Sequence, residues 1–199
     1  MRCFLALPLP EPVLARVALI QKGLRAACTA ADVRWTRSET MHLTLHFLGE
    51  VAEARLDGLV RALGEEVARH RIARLALGGT GAFPSPRRAR VVWLGTTDGA
   101  PELVGLAEAL RRVLEPLGLV PDPKPFTPHV TLGRVRAPQR GADLRGALAA
   151  AQPSEAGAWT PEAVVLYQSR LGADGAVHEP LARLPLEEER CGKIQRGPW

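Results

Sequence analysis

The chain has 199 residues, of which 46% are hydrophobic, and this is enough for one large domain or two small lobes with a real core. Its formal net charge of +5 favours polyanionic partners. Nearly all of the positive charge is arginine, and the preference for arginine over lysine is also explained by a high-GC genome. Three widely spaced cysteines argue against a disulfide framework or a zinc site. The sequence has no run long enough for a signal peptide or a membrane span, so a cytoplasmic protein is expected.

The first half of the chain predicts the order strand, helix, strand, helix. Residues 3–9 form an apolar run typical of a buried strand, and a helix with proline in its first turn follows at 11–27. Residues 41–48 alternate polar and apolar side chains as a half-buried strand does, and Gly49 closes that strand. A second helix is predicted at 53–70, where apolar residues recur at helical spacing.

The second half repeats this order roughly and adds further strands. A loop rich in glycine and proline separates the first two of these strands. Residues 1–186 therefore predict one domain with two lobes, and residues 187–199, which mix charge with glycine and proline, predict a tail. The predicted elements are strands at 74–77 and 90–94, a helix at 101–117, a strand at 127–135, a short helix at 142–151, and closing strands at 163–169 and 177–184.

Two copies of the pattern His-x-Thr-Leu, at residues 42–45 and 129–132, are the most informative feature of the sequence. Alternate residues of a strand point to the same face, so each histidine shares a face with its threonine. Two imidazoles can hold one proton donor and one acceptor near neutral pH, and two hydroxyls can hydrogen-bond an oxyanion. The two motifs, one in each half of the chain, predict two α+β lobes that are related by a pseudo-twofold axis and share one cleft. The side chains in that cleft predict chemistry on a phosphodiester.

With these two motifs, the sequence resembles a known family, the 2H phosphoesterases. Within that family it resembles the RNA 2′,3′-cyclic phosphodiesterases, also called 2′-5′ RNA ligase-like proteins. The resemblance implies two lobes, each an antiparallel sheet flanked by helices, with a central cleft. The family often has a tyrosine where this chain has His178, which is expected on the surface. The matching segments are 2–8, 33–35, 41–51, 90–95 and 126–134.

The resemblance also implies hydrolysis of the cyclic phosphate at an RNA 3′ end, which leaves a 2′-phosphomonoester. By this analogy, His42 donates a proton to the departing 3′-oxygen and His129 accepts a proton from water. Thr44 and Thr131 would hold the non-bridging oxygens, where charge grows in the transition state. The sequence contains no carboxylate cluster with metal-ligand spacing and no phosphate-binding P-loop, so no metal and no cofactor are expected.

Several nearby residues are weaker candidates for substrate binding. Arg134 lies on the opposite face from His129 by simple alternation, so either Gly133 bulges the strand and turns Arg134 toward the phosphate, or Arg134 is structural. Arg90 could bind the RNA backbone by charge, with a solvated basic loop as the alternative. Trp93 could stack on a base, although core packing is the competing interpretation.

Two residues of the first motif strand are expected to lie outside the chemistry. Phe47 alternates onto the apolar face, which favours core packing over base stacking. His46 shares the face of His42 by alternation, but lies too far along the strand to form a zinc pair with it. It is therefore predicted to be a cleft-wall or surface residue.

Three functions remain open at this level. The first is a metal-independent RNA 2′,3′-cyclic phosphodiesterase, whose partners are RNA 3′ ends or nucleoside 2′,3′-cyclic phosphates, with no obligate protein partner. The second is a 2′-5′ phosphodiesterase or RNA ligase, which would use the same residues. The third is a non-catalytic RNA-binding module, although such a module would not need both histidines.

Overall fold

The computed structural model describes residues 1–29, 31–119, 124–136, 142–151, 154–172 and 175–187. These ranges form an α+β fold with nine strands and four α-helices. The helices are α1 Glu11–Ala27, α2 Leu56–Val67, α3 Ala100–Leu114 and α4 Arg145–Ala150. The strands are β1 Arg2–Pro8, β2 Val33–Trp35, β3 His42–Glu50, β4 Leu75–Phe83, β5 Val91–Asp98, β6 His129–Val135, β7 Glu155–Trp159, β8 Ala163–Gly172 and β9 Gly175–Pro185.

Most elements lie where the sequence patterns predict them, and the helix α1 has the predicted bounds. It buries Val13, Val17 and Leu24, the apolar stripe that predicts it. The loop predicted after residue 77 is wrong in its first part, because β4 continues through its glycines to Phe83. The short strands β2 and β7 were not predicted, since three to five residues of mixed polarity carry no clear period.

All strand pairs among the described residues are antiparallel and form one sheet in the order β7-β4-β5-β6-β3-β1-β8-β9, with β2 pairing beside β6. Eight strands divide into two groups of four, β7-β4-β5-β6 and β3-β1-β8-β9. The two groups meet between β6 and β3, where a single residue pair is in register. This junction separates the predicted two lobes, and it lies between the two motif strands.

The helices cross from one lobe to the other. Helix α1 follows β1 in the chain but packs against β7 and α4, whereas α3 follows β5 but packs against α2 and β3. Each lobe therefore combines segments from both halves of the sequence, and the lobes are interleaved rather than successive. None of the helices in the described ranges is long and apolar enough to cross a membrane.

Two of the three cysteines, Cys3 and Cys28, are buried free thiols. The third, at position 191, lies outside the described residues, as does the predicted tail from position 188 onward. The last described residue is Glu187, whose backbone N–H donates to the His70 carbonyl at 2.9 Å.

Candidate active site

The two motif strands touch at one point, where Leu43 of β3 pairs with Val130 of β6. Both side chains are fully buried on the side of the sheet that the helices cover. Because side chains alternate along a strand, the residues that flank this pair project from the opposite face. The histidine and threonine of each motif therefore emerge on the same side of the sheet, and we call the surface around them the central cleft.

Leu43 and Val130 are the one pair in register, and the residues that flank this contact are His42 and Thr44 on β3 and His129 and Thr131 on β6, all with half-buried side chains. Diagonal neighbours on two paired strands lie about 7–8 Å apart, which sets the scale of the separation between the two histidines. Two imidazoles at that separation can reach opposite sides of one tetrahedral anion.

The ring orientation of both histidines is fixed by the same hydrogen bond. His42 Nδ1 lies 2.8 Å from the Thr40 carbonyl oxygen, and His129 Nδ1 lies 2.7 Å from the Thr127 carbonyl oxygen. A carbonyl oxygen can only accept, so each Nδ1 carries the hydrogen and donates it. Each Nε2 is therefore an acceptor while its ring is neutral and becomes a donor when the ring gains a proton.

Burial favours the neutral form of both rings. Desolvation lowers the pKa of His42 to about 4, with a further contribution from His178, and the bond to Thr40 opposes both. Desolvation also lowers the pKa of His129, and the guanidinium of Arg134 adds to this effect. An anion between the two rings would raise both values, because it favours the imidazolium form.

Both motif strands carry a β-bulge at the same place, and this decides the position of Arg134. In β6, Thr131 pairs with Trp93 and Gly133 with Val92, so Leu132 is the extra residue. The bulge returns Arg134 to the face of the central cleft, where it acts electrostatically on His129. The sequence left open whether a bulge turns Arg134 toward the phosphate or Arg134 is structural, and the structure has the bulge. The bulged residue is Leu132, one position before the expected Gly133.

The bulge in β3 corrects two predictions for that strand. Leu45 is the extra residue, so His46 points into the core, where it is 6% exposed and its Nε2 lies 2.7 Å from the Ala107 carbonyl oxygen. The prediction of His46 as a cleft-wall or surface residue is wrong. Phe47 is 59% exposed and faces the central cleft, so the prediction of core packing is also wrong.

Aromatic rings surround His42 on its own lobe. Phe4 of β1 is 2% exposed, and its ring stacks on His42 with the centroids 4.8 Å apart. Tyr167 of β8 stacks on Phe4 at 5.2 Å, and His178 of β9 lies edge-on to His42 at 5.2 Å. The surface position predicted for His178 is wrong, because β8 pairs with β1 and β9 pairs with β8, so the closing hairpin lies beside β1 in the same sheet.

On the other lobe, His129 lies beside Phe83 and Trp93. Phe83 meets the His129 ring edge-on at 5.1 Å, and the Trp93 centroid is 6.3 Å from it. Trp93 lies against Gly81, where an added Cβ atom would overlap the indole ring. Trp93 is half-buried on the cleft side of β5, so it belongs to the wall of the cleft rather than to the helix-covered core.

Sequence patterns alone could not find Phe4, Phe83 and Tyr167. Phe4 occurs in an apolar run that predicts a core strand, and Phe83 was assigned to a loop.

Arg90, a candidate from the sequence, is exposed at the end of the β4–β5 hairpin, where its carbonyl accepts from the Val135 N–H at 2.9 Å. The described ranges contain no group of three or more His, Cys, Asp or Glu side chains that could hold a metal ion.

Comparisons with known proteins agree with this fold and cleft. A profile of the family described as LigT-like phosphoesterase matches residues 7–93 and, a second time, residues 94–178. Two copies of one repeat explain the pseudo-twofold arrangement of the motif strands. The chain belongs to the LigT-like phosphoesterases, which are 2H phosphoesterases.

Several relatives share most of the chain. A Thermus thermophilus protein named RNA 2′,3′-cyclic phosphodiesterase is 34% identical over 100% of this chain and 96% of its own length. An Aeropyrum pernix protein of the same name is 33% identical over 85% of this chain and 94% of its own length.

Solved structures show the same fold. A crystal structure of a Thermus thermophilus protein has a TM-score of 0.76 at 34% identity, with 95% of this chain and 100% of that chain covered. Escherichia coli LigT complexed with 3′-AMP has a TM-score of 0.75 at 26% identity, with 94% and 98% covered.

Proposed function

We propose that this phosphoesterase hydrolyses RNA 2′,3′-cyclic phosphate ends, or nucleoside 2′,3′-cyclic phosphates, to 2′-phosphomonoesters without a metal ion. The observation that carries the proposal is the contact of β3 with β6 at Leu43 and Val130, which are flanked on the other face of the sheet by the two His-x-Thr pairs. The relatives named RNA 2′,3′-cyclic phosphodiesterase support the choice of substrate.

In the proposed reaction, His129 Nε2 removes a proton from water as the water oxygen attacks the phosphorus atom. The bond from phosphorus to the 3′-oxygen breaks, and protonated His42 donates its Nε2 hydrogen to that oxygen. The phosphate remains on the 2′-oxygen, and the proton taken up by His129 replaces the proton lost by His42. The fixed Nδ1 hydrogen bonds of both rings support these roles, because they leave each Nε2 free to face the substrate.

Three side chains are proposed to bind the phosphate during this reaction. The hydroxyls of Thr44 and Thr131 donate to the non-bridging oxygens, where negative charge grows. Arg134 adds a guanidinium that can donate two parallel hydrogen bonds to the same group. Its electrostatic effect on His129 supports a position close enough for this role.

The test is hydrolysis of 2′,3′-cyclic AMP in the presence of EDTA, with the products separated by chromatography. We expect 2′-AMP from the wild type and a loss of about 10²–10⁴-fold in kcat for His42→Ala and for His129→Ala. His70→Ala is the matched control, because His70 pairs with Glu66 on α2, outside the cleft. Unchanged substrate with retained RNA binding would instead indicate a binding module, and a requirement for added metal would contradict the mechanism.

The contributions of Arg134 and Arg90 are tested with different substrates. Arg134→Ala is expected to raise KM for 2′,3′-cyclic AMP, and Arg134→Lys to restore part of the loss, because lysine keeps the charge without the fork. Arg90→Ala is expected to weaken only longer RNA, in a salt-dependent way, since an exposed residue at the end of a hairpin would contact backbone phosphates. Equal effects of both changes on the mononucleotide would contradict this division.

A further inference from the structure

The two lobes present different charges to the central cleft beside their motifs. The bulged strands β3 and β6 have the same burial pattern over seven residues, and Phe47 occupies the position on β3 that Arg134 occupies on β6. The lobe of His42 therefore has an uncharged ring where the other lobe has a cation. Near His42, donors and positive charge come instead from Arg37, just before β3, and from His178 on β9.

We infer that His178 and Arg37 form a subsite for the phosphate on the 5′-oxygen of the reacting nucleotide, so that the enzyme favours an RNA end over a nucleoside 2′,3′-cyclic phosphate. The inference rests on the proposed function and adds the residues that bind the second phosphate of the substrate.

The first support is the place of His178 in the cleft. Its ring lies edge-on to His42 with the centroids 5.2 Å apart, and edge-on to Phe4 at 4.9 Å. Phe4 is buried and also stacks on His42, so one ring of the core supports both imidazoles. A group that binds to His178 is therefore close to the group that receives the proton of His42.

The second support is the hydrogen bonding of the His178 ring. Its Nδ1 is buried and has no hydrogen-bond partner among the described residues. A buried N–H without an acceptor is costly, so the neutral ring carries its hydrogen on Nε2, which lies further from the backbone. His178 is therefore a donor at Nε2 in both its neutral and its charged form, whereas His42 and His129 are acceptors there while neutral.

The third support is the guanidinium of Arg37, which lies beside His178. Its Nη2 donates to the Ala176 carbonyl at 2.9 Å, and its charge adds to desolvation in lowering the pKa of His178. Its Nε lies 3.6 Å from the exposed carboxylate of Glu39, and an exposed ion pair of this length contributes little. Arg37 therefore keeps N–H donors that a phosphate group can accept.

The fourth support is the chemistry of the leaving group. In the proposed reaction His42 donates to the 3′-oxygen, so the ribose lies against the lobe of His42. The 5′-phosphate is joined to the same ribose through C4′ and C5′, which follow C3′, so it meets the residues next to His42. In RNA this group is the phosphodiester to the preceding nucleotide, and a nucleoside 2′,3′-cyclic phosphate lacks it.

The experiment compares 2′,3′-cyclic AMP with the same compound bearing a 5′-phosphate, and the measured quantity is the ratio of the two KM values. In the wild type, KM should be about tenfold lower for the 5′-phosphorylated compound, as expected for one charge-assisted hydrogen bond. Arg37→Gln keeps a donor for the Ala176 carbonyl, and His178→Phe keeps a ring against His42. Each should reduce the ratio by about threefold or more, because each removes part of the subsite. Arg37→Lys, which restores the charge, and His178→Tyr, which restores a donor, should recover part of the ratio.

The matched control is Arg170→Ala on the same hairpin. Arg170 pairs in register with Val177, so it alternates onto the face opposite His178, and it forms an ion pair with Glu179. This variant should keep the wild-type ratio. Equal KM values for the two compounds in the wild type would overturn the inference, and so would a wild-type ratio in either Arg37→Gln or His178→Phe.

A further substrate distinguishes an RNA end from a free 5′-nucleotide. The dinucleotide ApA with a terminal 2′,3′-cyclic phosphate carries the same phosphate as a diester, and Arg37→Gln should raise its KM relative to that of 2′,3′-cyclic AMP. Dependence on Arg37 for the monoester alone would overturn the preference for RNA ends.

A second readout separates this inference from the proposed reaction. Calorimetric titration with adenosine 2′,5′-bisphosphate and with 2′-AMP requires no turnover. Tighter binding of the bisphosphate by the wild type, reduced in Arg37→Gln, supports the subsite even if no cyclic compound is hydrolysed, an outcome that would refute only the proposed reaction. Equal Kd values for the two ligands in the wild type refute the subsite whatever the activity.

Discussion

The pH dependence of kcat/KM gives a sharp test of the two-histidine proposal, because burial shifts both imidazoles in the same direction. The pair must hold one proton, so kcat/KM should follow a bell set by the macroscopic pKa values of the free enzyme. Burial lowers the pKa of His42 to about 4 and lowers that of His129 below its usual value near 6.5. The maximum is therefore expected between about pH 4 and pH 6.5.

The size of the effect follows from these values. With a pKa of about 4, roughly one free molecule in a thousand has protonated His42 at pH 7, against about a quarter for a solvated histidine. Above the maximum, kcat/KM should fall roughly tenfold per pH unit. The kcat profile should lie at higher pH, because a phosphate anion in the cleft favours the imidazolium form.

The assay is hydrolysis of 2′,3′-cyclic AMP from pH 4 to pH 9 at constant ionic strength, with circular dichroism at each pH to confirm the folded state. His178→Asn should move the acidic limb to higher pH, since His178 lowers the pKa of His42 and lies 5.2 Å from its ring. The other charged groups that act here are Arg37 beside His178 and Arg134 beside His129, and both remain in this variant. A kcat/KM maximum at or above pH 7.5 would refute the argument that burial controls the pair.

Two further predictions concern the packing behind the cleft. Gly81→Ala should raise KM and lower the free energy of unfolding by about 1–3 kcal/mol, because the added methyl group would displace Trp93. Gly105→Ala on α3 is the control: no atom lies within 4 Å of the added Cβ, so this change should raise the free energy of unfolding by about 0.5–1 kcal/mol. Urea unfolding and enzyme kinetics measure both variants, and equal effects would contradict the packing argument. His46→Ala should cost about 1–3 kcal/mol, because it removes a buried ring and its hydrogen bond to the Ala107 carbonyl, while leaving KM unchanged. Burial lowers the pKa of His46, so the wild type should lose stability as pH falls below about 6.5, and the variant should lose less; parallel losses in urea unfolding would be the contrary result.

The sequence by itself determined the elements whose pattern is local. Helix α1 is marked by its proline and apolar stripe, and the two motif strands are marked by alternation and a repeated His-x-Thr. Alternation alone was also enough to set each histidine on the same face as its threonine, because that relation needs only two residues of one regular strand.

The tertiary structure decided everything that depends on partners distant in the chain. A bulge is a mismatch between two paired strands, so a single strand's sequence could not show that Phe47 faces the cleft and His46 the core. His178 and Tyr167 reach His42 only because the closing hairpin pairs with β1. The pKa of His42 likewise depends on the burial and the neighbours that this assembly provides.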